Sequence, residues 1–232
     1  MGVDNKYTKM QKDYYESTAK EMAKMNHRHH DNNMDYWNVL LDPIKSDSKY
    51  WKGKTALEFG CGTGRNVCNL LRLAYWDRVD GVDISQNNID IAKGILKTEG
   101  IPDDKYNLFI NDGISLDCLK KNRYDFIMST IVLQHIAMYD IRYKILEGMH
   151  KALKKDGEIS IQMGFGRGYG KAEYKENAYE AKGTNTKHDV IIEDASQIVN
   201  DLSEIGFHNI NFSIKKAFSD GHPKWIYLHA TK

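Results

Sequence analysis

The stretch Lys54–Leu71, KTALEFGCGTGRNVCNLL, constrains this chain more than any other. Thr55–Phe59 reads as a short buried strand, and Gly60, Gly62 and Gly64 break it into a tight turn. From Arg65 the apolar residues Val67, Leu70 and Leu71 fall at helical spacing. A strand that runs through glycines into a helix brings bare backbone up to a ligand and points free helix N–H groups at it. The fingerprint that cradles a pyrophosphate needs glycines at 60, 62 and 65, and position 65 is Arg. What stands here is E-x-G-x-G-x-G, with Glu58 two residues before the first glycine. Taken alone, a glycine-rich turn is also compatible with an ordinary strand–turn–helix.

Glu58-Phe59-Gly60-Cys61-Gly62-Thr63-Gly64 resembles motif I of the class I S-adenosylmethionine-dependent methyltransferases. The resemblance implies a Rossmann-like α/β domain. Its doubly wound, mostly parallel seven-stranded sheet would carry an antiparallel C-terminal hairpin strand and an N-terminal helical cap. It also implies S-adenosylmethionine as cofactor, released as S-adenosylhomocysteine. Glu58 would sit near the ammonium of the methionine end, and the turn from Gly60 through Cys61, Gly62 and Thr63 to Gly64 would hold the cofactor. The glycines would let the adenosyl group lie where any Cβ collides.

Composition removes other readings. At 232 residues the chain is one sizeable domain, or a domain with a cap. Net charge is +1 with both signs interspersed, so no global field favours nucleic acid or a membrane surface. No apolar run spans a bilayer, and Met1–Asn33 is too polar for a signal peptide. Cys61, Cys68 and Cys118, without a CxxC, suit a reducing cytosol and exclude a cysteine-bound zinc or iron–sulfur site. A cytoplasmic protein is expected.

Ahead of the turn, Tyr7, Met10, Tyr14, Ala19, Met22 and Met25 can share one helix face, with Tyr15 and Ala23 at its edge. Met34, Trp37, Leu40 and Leu41 suggest a second helix, closed before Pro43. Core packing accounts for most such residues. The resemblance implies in addition a cap over residues 1–50, with the methyltransferase domain at 51–232, and brings Tyr14, Tyr15, Tyr36 and Trp37 into reach of the acceptor. His27, His29 and His30 read as an exposed polar turn, so no metal is expected.

Val79–Asp83 reads as a second strand, ending about 20 residues past the last glycine, where Rossmann-like folds hold an acid against ribose hydroxyls. Asp83 fits that role, with Ile84 beside it, and Asp80 on the opposite strand face is expected at a solvated edge. Ser85 caps a helix carrying Ile89, Ile91, Ala92, Ile95 and Leu96. Asn107–Ile110 reads as the third strand. The family usually places an acid next for the adenine amine, which falls to Asp112 with Gly113 and Ile114 along the ring edge. Asp112 could equally cap a helix over 114–121.

Tyr124–Ser129 reads as the fourth strand, and the residues from Ser129 onward resemble motif IV, where the strand end meets the transferring methyl. Residues 129–132 are STIV, which lacks the [DNS]-P-P-[FYW] of enzymes acting on exocyclic amines of DNA bases. A Pro-Cys nucleophile and an Asp/Asn metal cluster are also not seen, so metal-independent transfer is expected. His135 is the candidate base by position, a structural role being the alternative.

Ile141–Leu153 reads as an amphipathic helix, and LKKDGEISI resembles the family's turn before its fifth strand, Glu158–Met163, with Gly157 where φ must be positive. Gly164–Gly170, with polar sequence to about 188, reads as a mobile substrate loop or lid. Phe165, Tyr169, Tyr174 and Tyr179 would be its contact or packing residues; a plain connection is the alternative. Asp194–Leu202 is helical, and 210–218 with 225–230 form a hairpin. The expected activity is in-line methyl transfer to a small-molecule amine or hydroxyl. Protein or structured RNA as acceptor, or a non-catalytic adenosylmethionine-binding role, are the alternatives.

Overall fold

The computed structural model describes residues 3–27, 39–41, 52–73, 75–167, 171–177, 189–217 and 221–232. The glycine turn follows β1 (Lys54–Phe59), at the middle of a seven-stranded sheet. The other strands are β2 (Trp76–Asp83), β3 (Leu108–Ile110), β4 (Tyr124–Ser129), β5 (Leu153–Phe165), β8 (His208–Lys216) and β9 (Lys224–Thr231). Their order is β3-β2-β1-β4-β5-β9-β8. Strands β1 to β5 pair in parallel, and β9 enters antiparallel between β5 and β8. Helices α1 (Val3–His27), α2 (Arg65–Arg72), α3 (Gln86–Thr98), α4 (Tyr139–Ala152) and α5 (Ala195–Ile205) surround it. A separate two-stranded ribbon pairs β6 (Ala172–Glu173) with β7 (Val190–Ile191). This is the doubly wound architecture that the sequence implies.

Alternation along the strands sends neighbours to opposite faces, and both faces are covered. Leu57 and Ile127 join a core with Ile141 and Ile145 of α4 and Ile198 and Leu202 of α5. Ala56, Phe126 and Met128 join another with Val67 and Leu70 of α2 and Ile89 and Leu96 of α3. The helical residues 39–41 put Leu40 and Leu41 into that second core, and Ser160 Oγ donates to the Leu40 carbonyl at 2.7 Å. Caps follow the sequence. Ser85 accepts from Asn88 N at the start of α3, Asp194 accepts from Ser196 N at the start of α5, and Gly206 ends α5 at φ 110°.

Four local expectations change. Strand β5 begins at Leu153 and runs to Phe165, so Gly164 and Phe165 are strand residues opposite Trp225 and Lys224 of β9, not the start of a loop. The left-handed residue within it is Asp156, at φ 62°, rather than Gly157. Gly157 serves close approach instead, since a Cβ there would lie 3.0 Å from the Lys154 carbonyl oxygen. Residues 114–121 form turns rather than a helix: Asp112 Oδ1 accepts from both Ile114 N and Ser115 N, which closes the chain locally.

The fourth change concerns Asp80, which is fully buried rather than solvated. Arg78 and Arg123 each pair with one of its oxygens, at 2.8 and 3.1 Å. The Tyr124 hydroxyl and Asn107 N also donate to it. Two cations brought in from separate segments make the burial tolerable. Among the described residues no helix is long and apolar enough to cross a membrane.

Candidate functional site

Strand order reverses between β1 and β4, which opens a crevice beyond their carboxyl ends. A cavity of about 390 Å³ fills it. At its floor Glu58 is 2% exposed. Its Oε1 accepts from Asn66 Nδ2 of α2 at 2.6 Å, and Oε2 is buried with no hydrogen-bond partner among the described residues. Burial pushes the carboxyl up to about 8, against the Asn66 hydrogen bond and the charge of Arg65.

The three glycines of the turn have different duties. A Cβ on Gly60 would collide with Val132, and one on Gly64 would come within 2.9 Å of Ala92 Cβ; both fit protein against protein. Only Gly62, left-handed at φ 51°, faces open space with nothing within 4 Å. The bare backbone expected of all three is thus presented by Gly62 alone. Asp83 fixes that turn: Oδ2 accepts from Gly62 N at 2.9 Å, and Oδ1 from Ser85 N and Asn88 Nδ2. Burial raises its carboxyl despite those donors. Burial also pushes the Cys61 thiol well up, which leaves it inert.

Helix α1 roofs the other end. Tyr7, Gln11, Tyr15 and Met22 line the cavity from above. The Tyr7 hydroxyl accepts from Ala137 N at 2.7 Å and donates to the His135 carbonyl at 3.3 Å, and Gln11 Nε2 reaches the same carbonyl. Further along, the Glu16 carboxylate takes Ser85 Oγ, Gln86 N and Asn87 N at 3.0, 2.8 and 2.8 Å, sealing the N-terminus of α3. Burial acts to raise that carboxyl, but the donors hold it below its ordinary value.

Beyond β4 the chain passes through Ile131, at φ 57°, an uncommon conformation for a β-branched residue. Ile131 N donates to Gln162 Oε1 at 2.7 Å, and Gln162 Nε2 donates to Gln134 Oε1, which holds the kink. A 3-10 turn, Leu133–His135, follows and brings His135 into the cavity lining. His135 Nδ1 lies 2.6 Å from Asp189 Oδ1, and Lys171 Nζ pairs with Asp189 Oδ2 at 3.0 Å.

Of the residues expected at the cofactor, Glu58, Gly60, Cys61, Gly62, Asp83, Ile84 and Gly113 line this one cavity with His135. Thr63, Gly64, Asp112 and Ser129 are outside its lining. Thr63 and Ser129 are buried, Gly64 packs on Ala92, and Asp112 is turned outward with its carboxylate engaged by Ile114 and Ser115. Of the expected acceptor residues, Tyr15 lines the cavity. Tyr14 lies outside it, edge-on to Tyr15 at 5.3 Å, and Phe165 packs against the sheet core. Tyr36, Trp37, Tyr169, Tyr179, His29 and His30 fall outside the described residues, and Tyr174, directly after β6, is buried with its hydroxyl on Asp201.

Sequence reasoning missed Asn88, Asn111 and Thr130. Each lines the cavity and holds a buried side-chain oxygen with no hydrogen-bond partner among the described residues. Asn111 stands directly before Asp112, and only the backbone direction after β3 tells which of the two faces inward.

A family model described as a methyltransferase domain matches residues 26–211. An uncharacterised methyltransferase of Schizosaccharomyces pombe is 25% identical over 129 residues, covering 52% of this chain and 43% of that protein. The chain therefore spans less than half the length of this curated relative. Among solved structures, phosphoethanolamine N-methyltransferase 2 of Haemonchus contortus is similar at TM-score 0.62 and 19% identity, covering 84% of this chain and 52% of the other. It is in complex with phosphomonomethylethanolamine and S-adenosylhomocysteine. An S-adenosylmethionine-dependent methyltransferase of Methanosarcina mazei matches at TM-score 0.64 and 18% identity, over 82% and 97% of the two chains.

Proposed function

The chain belongs to the methyltransferase-domain family, the class I S-adenosylmethionine-dependent enzymes, and on that premise we propose that it methylates a small-molecule amine or hydroxyl without a metal. The observation that carries this is the single cavity that joins a buried, half-partnered acid to a histidine beneath an aromatic roof. The residues fit the cofactor. Glu58 Oε2 would take the ammonium, Gly62 would lie under the adenosyl group, and Asp83 with Asn88 Oδ1 would take the ribose hydroxyls. Asn111 Oδ1 fits the adenine amine better than Asp112, which stays outside the cavity lining.

When bound, S-adenosylmethionine supplies a sulfonium methyl, to which the acceptor's lone pair bonds as the carbon–sulfur bond breaks with its electrons left on sulfur. The protein's part is alignment and exclusion of water by the α1 roof. His135 takes the proton that the acceptor amine or hydroxyl loses. Tyr7 and Tyr15 give the acceptor end aromatic faces suited to an amine or a planar ring. Among the described residues no group of three or more His, Cys, Asp or Glu converges as metal ligands do. Free cysteines, one of them exposed, fit a cytoplasmic setting.

Isothermal calorimetry with S-adenosylhomocysteine tests the cofactor half, and micromolar binding is the expected result. Transfer of a labelled methyl to a panel of small amines, phenols and phosphoethanolamine in EDTA tests the acceptor half. Binding of NAD with no binding of S-adenosylhomocysteine would overturn the reading.

A further inference from the structure

The wall beside His135 holds charges that methyl transfer, as described, does not use. Asp189 lies just ahead of β7 and Lys171 just ahead of β6; both side chains are 13% exposed. The described residues next to them are anchored. Ala172 N donates to the Asp189 carbonyl, Gly166 N donates to the Ile192 carbonyl, and Ile192 N donates to the Gly164 carbonyl. His135 is fixed from the other side, its N–H on the Val132 carbonyl and its own carbonyl under Tyr7 and Gln11. The two oxygens of Asp189 are divided, one on His135 Nδ1 and one on Lys171 Nζ. Burial acts to raise the Asp189 carboxyl, but His135 and Lys171 outweigh it and hold it at about 2. A simple Lys171–Asp189 ion pair would not need the ring, and of these three residues only His135 reaches the cavity wall.

We propose that Asp189 is the positioning residue for His135, keeping the proton on Nδ1 so that Nε2 offers its lone pair to the cavity, while Lys171 keeps Asp189 in place. This rests on the reading of His135 as the base. In the transfer, the new bond forms from the acceptor nitrogen or oxygen to the methyl carbon. The carbon–sulfur bond breaks onto sulfur, and the acceptor's proton moves to His135 Nε2 and then to water. The imidazolium so formed is stabilised by the Asp189 carboxylate. Other titratable groups around the ring are His222, whose Nε2 meets the Val190 carbonyl, and Tyr7 and Tyr15 on α1.

Nitrogen-15 NMR of the cofactor-free protein reads the ring directly, with His135 assigned by loss of its signals in His135→Gln. The wild type should show the Nδ1–H tautomer. Asp189→Asn should lose that preference. Lys171→Met should weaken it as Asp189 loses its second contact, and Asp189→Glu should restore the wild-type tautomer. Affinity for S-adenosylhomocysteine should stay within about twofold in the Asp189 and Lys171 variants, since neither residue lines the cavity. An unchanged tautomer in Asp189→Asn would overturn the proposal. Should that variant not fold, an unchanged tautomer preference in Lys171→Met would do so. Failure of the wild type to bind S-adenosylhomocysteine would instead remove the methyltransferase reading, and the NMR result would stand apart from it.

Discussion

Two acids buried on adjacent central strands have opposite surroundings. Asp80 pairs in register with Leu57, the residue before Glu58, so the two carboxylates are one step apart across β1 and β2. Asp80 meets two arginines, a tyrosine hydroxyl and a backbone N–H. Glu58 meets Asn66 and the Val67 backbone, and its Oε2 has no hydrogen-bond partner among the described residues. Depth alone therefore says little about purpose. A saturated buried acid holds segments together, and a half-partnered one at a cavity floor is an incomplete interaction that a ligand cation completes.

The largest test of this contrast removes the saturated acid. Asp80→Ala leaves two arginines without their buried partner and should cost roughly 3–5 kcal/mol in urea unfolding. The remaining folded protein should still bind S-adenosylhomocysteine with near wild-type affinity. A loss of affinity without loss of stability would break the contrast.

Glu58→Gln should behave in the opposite way. A carboxyl raised from 4.5 to about 8 on folding favours the folded chain fully below pH 4.5, and that contribution is lost as pH rises through 8. The cofactor-free variant should therefore match the wild type near pH 4 and be more stable by about 1–3 kcal/mol at pH 9, while cofactor affinity falls about tenfold. Parallel stability curves from pH 4 to 9 would show that Glu58 is not half-partnered after all.

Gly62→Ala should cost about 1–2 kcal/mol from left-handed backbone and weaken S-adenosylhomocysteine binding further, because its Cβ enters the space left for the ligand. Equal losses of binding and stability would place the ligand elsewhere. The smallest effect belongs to the third acid near the site. Glu16→Gln removes a charge from the start of α3 and should cost about 0.3–1 kcal/mol, read as a small drop in melting temperature.

The same contrast marks what the sequence discloses. The strand, turn and helix around Glu58, the cap at Ser85 and the C-terminal hairpin all follow from short-range pattern. So does the place of His135 after β4. Asp80 was misread because alternation assigns it a face without saying that Arg123 and Tyr124, more than 40 residues away, await it there. Asp189 was not singled out, since its partner His135 stands 54 residues earlier and nothing in the intervening polar stretch sets it apart. Asn111 and Asp112 differ by one step of backbone, and the Asx turn that takes Asp112 outward competes with the expected contact to the ring.

The roof of the cavity also has a chronology. Tyr7 closes onto Ala137, 130 residues further along. At about 5–20 residues per second, a ribosome makes α1 on the order of ten seconds before the turn it docks on. Until residue 137 is made the Tyr7 end of α1 lacks this native partner, although Glu16 can already meet residues 85–87, and an isolated helix of this length is marginal in water. The Tyr7 end of the roof is thus made well before the backbone it closes on, so a nascent chain halted before residue 137 holds the glycine turn without that closure.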